Sequence, residues 1–317
     1  MTPDLQAPVR IGTRGSDLAL WQSEHVKSLL QQRFGRQLPV ELVVISTKGD
    51  QIQDRPLHEV GGKGLFVKEI EQQLLDGAID LAVHSMKDLP AFMPKGLEIA
   101  CTPAREDPRD AVVGVQGATV VPLARLPRGT RVGTGSLRRG AFVKRLNAEV
   151  DVVPIRGNVP TRVAKVDRGE VDVVVLAAAG LRRLGLADRI TELLDVERFC
   201  PSPAQGILAL QCRADDRRIK ALLAPLRDPS AWVCATAERA FLQRLGASCT
   251  TPVACYAELR APDVLTLCGV IVDPSGRPCF TASKMSHPGE AEALGHRLAD
   301  TLMGLGASRI AGLRNVA

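Results

Sequence analysis

Aromatic side chains are scarce in this chain: Phe, Trp and Tyr make up 3% of its 317 residues, with a single Tyr and two Trp. That poverty argues against single-stranded nucleic acid as a ligand, because a platform for unpaired bases needs several rings to stack on. No run of about 18 apolar residues occurs, so nothing reads as a membrane-spanning helix and no membrane partner is expected. The opening Met1-Thr-Pro-Asp-Leu-Gln6 lacks the charged-then-apolar order of an export signal, and the reading is a cytoplasmic protein. Eight cysteines are present, at 101, 200, 212, 234, 249, 255, 268 and 279, yet none forms a Cys-x-x-Cys pair and no His stands at zinc-finger spacing. Reduced, mostly buried thiols and no metal are therefore expected. Nucleotide fingerprints are missing too: Gly133-Thr-Gly135-Ser-Leu-Arg-Arg-Gly140 does not keep the G-x-G-x-x-G spacing, and Gly61-Gly-Lys-Gly64 lacks the Walker pattern.

Positive charge, by contrast, is concentrated. Residues 131–168 hold nine Lys/Arg against three Asp/Glu, an excess equal to the net +6 of the whole chain. Within it, Arg131-Val-Gly-Thr-Gly-Ser-Leu-Arg-Arg-Gly140 reads as a strand, a small-residue turn and a helix start, an arrangement whose free N–H groups and arginines suit an anion. A similar segment opens the chain, since Arg10-Ile-Gly-Thr13 and Arg131-Val-Gly-Thr134 both lead through Gly and Ser into a helical pattern. Leu75-Asp-Gly-Ala-Ile-Asp-Leu-Ala-Val83 likewise aligns with Asp167-Arg-Gly-Glu-Val-Asp-Val-Val-Val175, so a larger unit is used twice.

Between these landmarks the hydrophobic period alternates. Helical spacing covers 19–34 and 65–75; short aliphatic runs fall at 41–45, 79–83, 111–115, 151–155 and 171–176. Alternation of this kind predicts α/β domains with mainly parallel sheets, whose ligands bind beyond the carboxyl ends of the strands. Those ends are Thr13–Ser16, Ser46–Gly49, His84–Asp88, Thr134–Ser136 and Arg156–Asn158, and two similar domains facing a shared cleft would bring them together. From about residue 230 the style changes to a helix over 231–245, strands near 253–259, 264–272 and 278–284 joined through the turn Asp273-Pro-Ser-Gly276, and a last helix, which predicts a small α+β domain. The expected bounds are 1–104 and 105–204 for the α/β domains and 228–317 for the third. The polar, Gly-containing stretch 49–64 reads as a flap.

Arg14, Arg138, Arg139, Arg156 and Arg162 all fall in or just after predicted strand-end turns. Guanidinium forks match carboxylates bidentately, so together they fit a ligand with several acid groups, although any one of them could be an ordinary solvated arginine. Asp88, in Val83-His-Ser-Met-Lys-Asp-Leu-Pro90, could steady a cation or shuttle protons, or could serve only as a turn residue before Pro90; Lys87 is ambiguous in the same way. His84 reads as a hydrogen-bonded, partly buried residue rather than a base, having no nucleophile to pair with. Cys249 sits in a small-residue loop after a helix, where thiolate chemistry is open to it, against the burial that is the commoner fate of a cysteine.

The same segments, in order, resemble the hydroxymethylbilane synthase family, also called porphobilinogen deaminase: Thr13–Ser16, Val60–Lys68, Val83–Asp88, Arg105–Asp110, Ser136–Arg139, Arg156–Val159 and Cys249 before Pro252. The resemblance covers essentially the whole chain. It implies a transferase that condenses four porphobilinogen molecules head to tail, with loss of ammonia, on a dipyrromethane cofactor held as a thioether by Cys249. It implies that Asp88 is the catalytic carboxylate, stabilising an azafulvenium-like cation. It further implies cofactor contacts from Lys87, Asp88, Ser136, Arg138 and Arg139, and substrate contacts from Arg14, Gln22, Lys63, Arg156, Arg162 and Arg183. The implied fold is a pair of periplasmic-binding-protein-like α/β domains with a cleft between them, the first regaining a segment near 205–225, plus an α+β domain carrying the cysteine, in a monomer of heme biosynthesis.

The chain departs from the family's habits at Asp17 (usually Pro), Gly135 (commonly Ser), Ala247-Ser248 (usually Gly-Gly), Ala254-Cys255 (usually Gly and a small residue) and Ser202–Gly206 (a Val-Gly-Gln-Gly-like run). A competing reading is a non-catalytic protein that binds a small polyacid in the same cleft; a covalent group on Cys249 separates the two. Nucleic-acid binding by the basic segment is the weakest reading, because its cations alternate with buried-strand signals.

Overall fold

The computed structural model describes residues 4–47, 49, 67–117, 119, 121–247 and 251–310. They divide into two compact units, Met1–Glu106 with Ile207–Trp232, and Asp107–Gly206 with Val233–Ala317.

In the first unit, Val9–Thr13 (β1), Val40–Val44 (β2), Leu81–Ser85 (β3), Leu97–Cys101 (β4) and Leu208–Arg213 (β10) form one sheet of order β2-β1-β3-β10-β4. Strand β1 is parallel to β2 and β3, whereas β10 runs antiparallel between β3 and β4. The strands pack on Asp17–Phe34 (α1), Lys68–Leu75 (α2) and Arg217–Leu223 (α6). Helix α1 turns Gln22, Val26 and Leu30 inward at i, i+4 spacing, and Val26 and Leu30 join Val9, Ile11, Leu81, Leu208 and Leu210 in one core.

The second unit repeats that plan. Asp110–Val113 (β5), Arg131–Gly133 (β6), Asp151–Val153 (β7), Val173–Ala177 (β8) and Ile190–Leu193 (β9) form a sheet of order β7-β6-β8-β5-β9, with β5 as the reversed strand. Position for position the two orders are the same. The reversed strand comes from the start of the repeat in one sheet and from after residue 206 in the other. Helices Leu137–Leu146 (α3), Val159–Asp167 (α4) and Ala178–Arg183 (α5) follow β6, β7 and β8.

The C-terminal domain is an antiparallel meander of Val253–Ala261 (β11), Val264–Val272 (β12) and Cys279–Ser286 (β13), with Pro229–Leu245 (α7) and Ala291–Gly304 (α8). One face of β12 presents Leu265, Leu267 and Ile271 to Phe241, Leu294 and Leu298 of those helices. The other presents Val270 and Val272 to Phe142, Phe199 and Val132 of the second sheet's core. Burial on both faces is why Val264-Leu-Thr-Leu-Cys-Gly-Val-Ile-Val272 reads as an almost unbroken apolar run. Gly276, at φ 90° in the Asp273–Gly276 turn, lies against the backbone of Ala141 and Arg145 in α3, a conformation and a closeness that a side chain would disturb. The fold is therefore α/β in two sheet domains with a small α+β domain at the C-terminus. No helix among the described residues is long and apolar enough to cross a membrane.

Candidate functional site

In the first sheet, β1 and β3 are parallel neighbours, so their carboxyl ends deliver Arg14 and the Ser85–Asp88 segment to the same edge. The chain leaves β3 through a single 3-10 turn, Met86–Asp88. Met86 is buried and donates its N–H to Ile207 O at 3.0 Å, at the start of the reversed strand β10, while Asp88 is exposed and Lys87 half-buried. Gln22, buried on α1, donates Nε2 to Ser85 Oγ at 2.8 Å, and Thr13 Oγ1 donates to Ala19 O at 3.1 Å, tying both strand ends to the helix. His84 points the other way. Its Nε2 lies 2.9 Å from Gln211 Oε1, and Gln211 in turn donates to Glu71 Oε1 at 3.0 Å. Burial pushes the imidazole down to about 4, so it is neutral near pH 7 and is a core partner, not a base.

The second sheet presents a denser constellation at the corresponding edge. Ser136 caps α3, accepting from Arg139 N at 3.4 Å, and the helix carries Arg138 and Arg139 into its first turn. Both guanidiniums are buried. Arg138 donates Nη1 to Cys200 O at 2.6 Å and Nη2 to Asp110, with the rings of Phe199 and Phe142 centred 5.7 and 6.0 Å away. Arg139 donates Nε to Asp110 Oδ1 at 2.8 Å and Nη2 to Gln205 Oε1 at 3.3 Å. Gln205 reaches back to Asp110 Oδ1 at 3.0 Å and to Pro108 O at 2.7 Å. Burial alone would raise the Asp110 carboxyl, but the Arg138 and Arg139 charges and the Gln205 amide hold it below the usual carboxylate range.

Around the same edge, Arg183 at the end of α5 donates Nη2 to Gly206 O at 2.7 Å. Arg162 on α4 donates Nε to Gly157 O at 2.8 Å, and Arg156 follows β7. Asn158 caps α4 by accepting from Thr161 N at 2.9 Å. Gly157, at φ 108°, is required here, because a Cβ would strike the Thr161 side chain.

The sequence-based site residues thus fall on two strand-end edges: Arg14, Gln22, Lys87 and Asp88 in the first unit, and Ser136, Arg138, Arg139, Arg156, Arg162 and Arg183 in the second. Lys63, Cys249 and all but Gly49 of the 49–64 stretch lie outside the described residues. The charge cluster at 131–168 is only partly a ligand cradle. Arg131 begins β6 at the opposite edge, bound to Asp172 at 2.7 Å, and Lys165 and Arg168 pair with Glu170 at the far end of α4. Sequence reasoning missed Asp110 and Gln205 as members of the arginine network, although Asp110 lies in a segment that carries the family resemblance. It also missed Glu238, a fully buried carboxyl on α7 that accepts N–H groups from Ala204 and Ala257.

Residues 9–221 match the family model described as porphobilinogen deaminase, dipyromethane cofactor binding domain, and residues 232–304 match porphobilinogen deaminase, C-terminal domain. The chain belongs to the porphobilinogen deaminase family. Relatives named porphobilinogen deaminase include those of Syntrophotalea carbinolica, 49% identical over 95% of this chain and 94% of that one, and Acidithiobacillus ferrooxidans, 48% identical over 95% and 96%. Another from Syntrophobacter fumaroxidans is 46% identical over 95% and 96%. As a porphobilinogen deaminase family member, the chain is a transferase with a dipyrromethane-binding domain in residues 9–221. The donor chemistry fits such a group. A dipyrromethane bearing acetate and propionate on each ring is a tetra-acid, and the strand ends of the second unit offer guanidiniums and the N-terminus of α3, Arg139 pairing there with Asp110.

Proposed function

We propose that this chain joins four porphobilinogen molecules head to tail, releasing one ammonia at each of four condensations, and frees the product as hydroxymethylbilane with one water, which supplies the hydroxyl of the terminal carbon and the hydrogen of the α-carbon that it leaves. The observation that supports this reading best is the ordered match of both family models, 9–221 and 232–304, over a chain whose catalytic candidate Asp88 stands exposed on a turn fixed by buried Met86.

In each condensation a bond forms between the aminomethyl carbon of one porphobilinogen and the free α-carbon of the preceding ring, the C–N bond to ammonia breaks, and the α-carbon loses its proton. Asp88 Oδ1 and Oδ2 are acceptors at the place where positive charge develops on the substrate pyrrole, so Asp88 steadies that charge as ammonia departs and takes up a pyrrole or α-carbon proton afterwards. Arg14, Gln22, Lys63, Arg156, Arg162 and Arg183 hold substrate acetates and propionates, orienting the reacting carbons. Lys87, Ser136, Arg138, Arg139 and Asp88 hold the dipyrromethane, and Cys249 Sγ anchors it. When bound, that group supplies the first nucleophilic α-carbon. The three-domain division at 1–104 with 205–225, 105–204 and 228–317, a cytoplasmic location, a monomeric state and indifference to nucleic acid belong to the same proposal.

The test is the intact mass of the purified, denatured protein beside a Cys249→Ser control. A covalent excess of two linked pyrroles, absent from the control, supports the reading. An unmodified mass that persists after incubation with porphobilinogen refutes it.

A further inference from the structure

We propose that Asp110 is a positioning residue: it holds Arg138 and Arg139 so that Arg139 presents an uncommitted nitrogen to a carboxylate of the bound tetrapyrrole chain. The inference rests on the proposed function, and it concerns a residue that touches neither substrate nor cofactor.

Strand β5 is the reversed strand of its sheet, pairing Asp110 with Ala177 at the carboxyl end of β8. Its first residue therefore lies at the edge where the parallel strands end and α3 begins. A fully buried carboxylate there is costly unless each oxygen is matched. Oδ2 accepts from Arg138 Nη2, and Oδ1 accepts from Arg139 Nε and Gln205 Nε2 at 2.8 and 3.0 Å. One acid thus faces two buried cations, leaving the cluster a net charge of +1.

Each guanidinium keeps one nitrogen that no acceptor meets among the described residues, Nε of Arg138 and Nη1 of Arg139, but their surroundings differ. Arg138 spends Nη1 on Cys200 O and Nη2 on Asp110 between two phenylalanine rings, as an internal strut would. Arg139 spends Nε and Nη2, and among the described residues no acceptor meets its Nη1. The cluster carries one uncompensated positive charge, and with Arg138 packed against the two rings, the unmet Nη1 of Arg139 is the donor best suited to a ligand carboxylate. Gln205 locks the arrangement from behind, its amide oxygen accepting from Arg139 while its amide nitrogen binds Asp110 and Pro108 O. Two neighbouring contacts fix the turn that carries Gln205: Glu238 accepts from Ala204 N, and Arg183 donates to Gly206 O.

The experiment compares Asp110→Asn with wild type and with a core variant remote from the arginines, V166A/V171A, chosen to lower stability without touching the cluster. Asn keeps the volume of Asp but removes the charge and turns one acceptor into a donor facing a guanidinium. Expected for D110N is a roughly tenfold fall in the fraction of protein carrying the covalent adduct by intact mass, the scale of losing a supporting residue behind a ligand contact. Its crystal structure should show the Arg138 and Arg139 guanidiniums displaced. V166A/V171A should keep both the adduct and the guanidinium positions at an equal loss of urea midpoint. Adduct loss in D110N no greater than in V166A/V171A, or guanidiniums unmoved in D110N, overturns the proposal. A wild type without adduct would refute the proposed function instead, and the guanidinium positions alone would then decide whether Asp110 positions them.

Discussion

Replacing Glu238 by Gln should destabilise the protein well beyond what an isosteric change of one atom usually does. Glu238 is 0% exposed, and its two oxygens accept backbone N–H groups from Ala204 in the second α/β domain and from Ala257 in β11, the latter at 2.7 Å. In the amide, one of those oxygens becomes an NH2 group aimed at a backbone N–H. The bond lost is worth roughly 1.5 kcal/mol and the orphaned buried donor costs about as much again, giving about 3 kcal/mol. For a body of this size that is on the order of 6–12 °C in Tm. Ala204 adds a second arm to the test, because it is the one non-glycine at positive φ among the described residues, at 59°. A left-handed alanine costs about 1 kcal/mol, which Ala204→Gly removes while adding a comparable flexibility cost to the unfolded chain, so alone it should be nearly neutral. In the E238Q background the glycine keeps the turn's shape without the carboxyl, and the double variant should recover about 1 kcal/mol. Urea titrations of the four proteins measure all of this. An E238Q midpoint within about 0.5 kcal/mol of wild type would refute the account of the two N–H bonds, and additive variants would refute the link to the turn.

Asp88→Ala should cut turnover by about 10²- to 10⁴-fold with the urea midpoint unchanged, since the side chain is exposed; normal steady-state rates in the variant would remove Asp88 from the mechanism. His84 has its imidazole held down to about 4 by burial, so the folded state resists a proton that the unfolded chain accepts near 6.5. Stability is then complete above pH 6.5 and declines as pH falls toward 4, by on the order of 3 kcal/mol, and His84→Gln should flatten that slope in urea melts read at steps between those pH values. Gly135→Ser should cost about 1–3 kcal/mol, because a Cβ there would stand 2.8 Å from Ile155 O, a backbone atom that cannot swing aside; a neutral midpoint would show that the turn has slack.

The sequence exposes the parts of this fold that are local. Both βα starts, at Arg10 and Arg131, run from Gly-Thr to Gly-Ser, with Arg14 between in the first and nothing between in the second, and the strand-end turns they announce carry most of the candidate residues. The antiparallel meander shows itself through the Asp273–Gly276 turn. Less legible are the long-range pairings. Nothing in spacing says that Asp110, 28 and 29 residues before the two arginines, lies beneath them; it follows only from β5 running against its neighbours. For the same reason the charge excess of 131–168 overstates the ligand cradle, since composition cannot tell the two ends of a strand apart and Arg131 sits at the wrong one. His84 is legible as a non-base, but its Gln211 partner stands 127 residues away.

The reversed strand of the first sheet also sets an order of events during synthesis. Strand β10, Leu208–Arg213, lies between β3 and β4, so β4 has no sheet neighbour until about two-thirds of the chain has left the ribosome. The second sheet draws all its strands from Asp110–Leu193 and is complete before that strand emerges. The N-terminal sheet, first to be made, is thus the later of the two α/β sheets to close, and in the interval the edges of β3 and β4 stay open to mispairing, which makes this stretch the one where chaperone capture during translation should be sought.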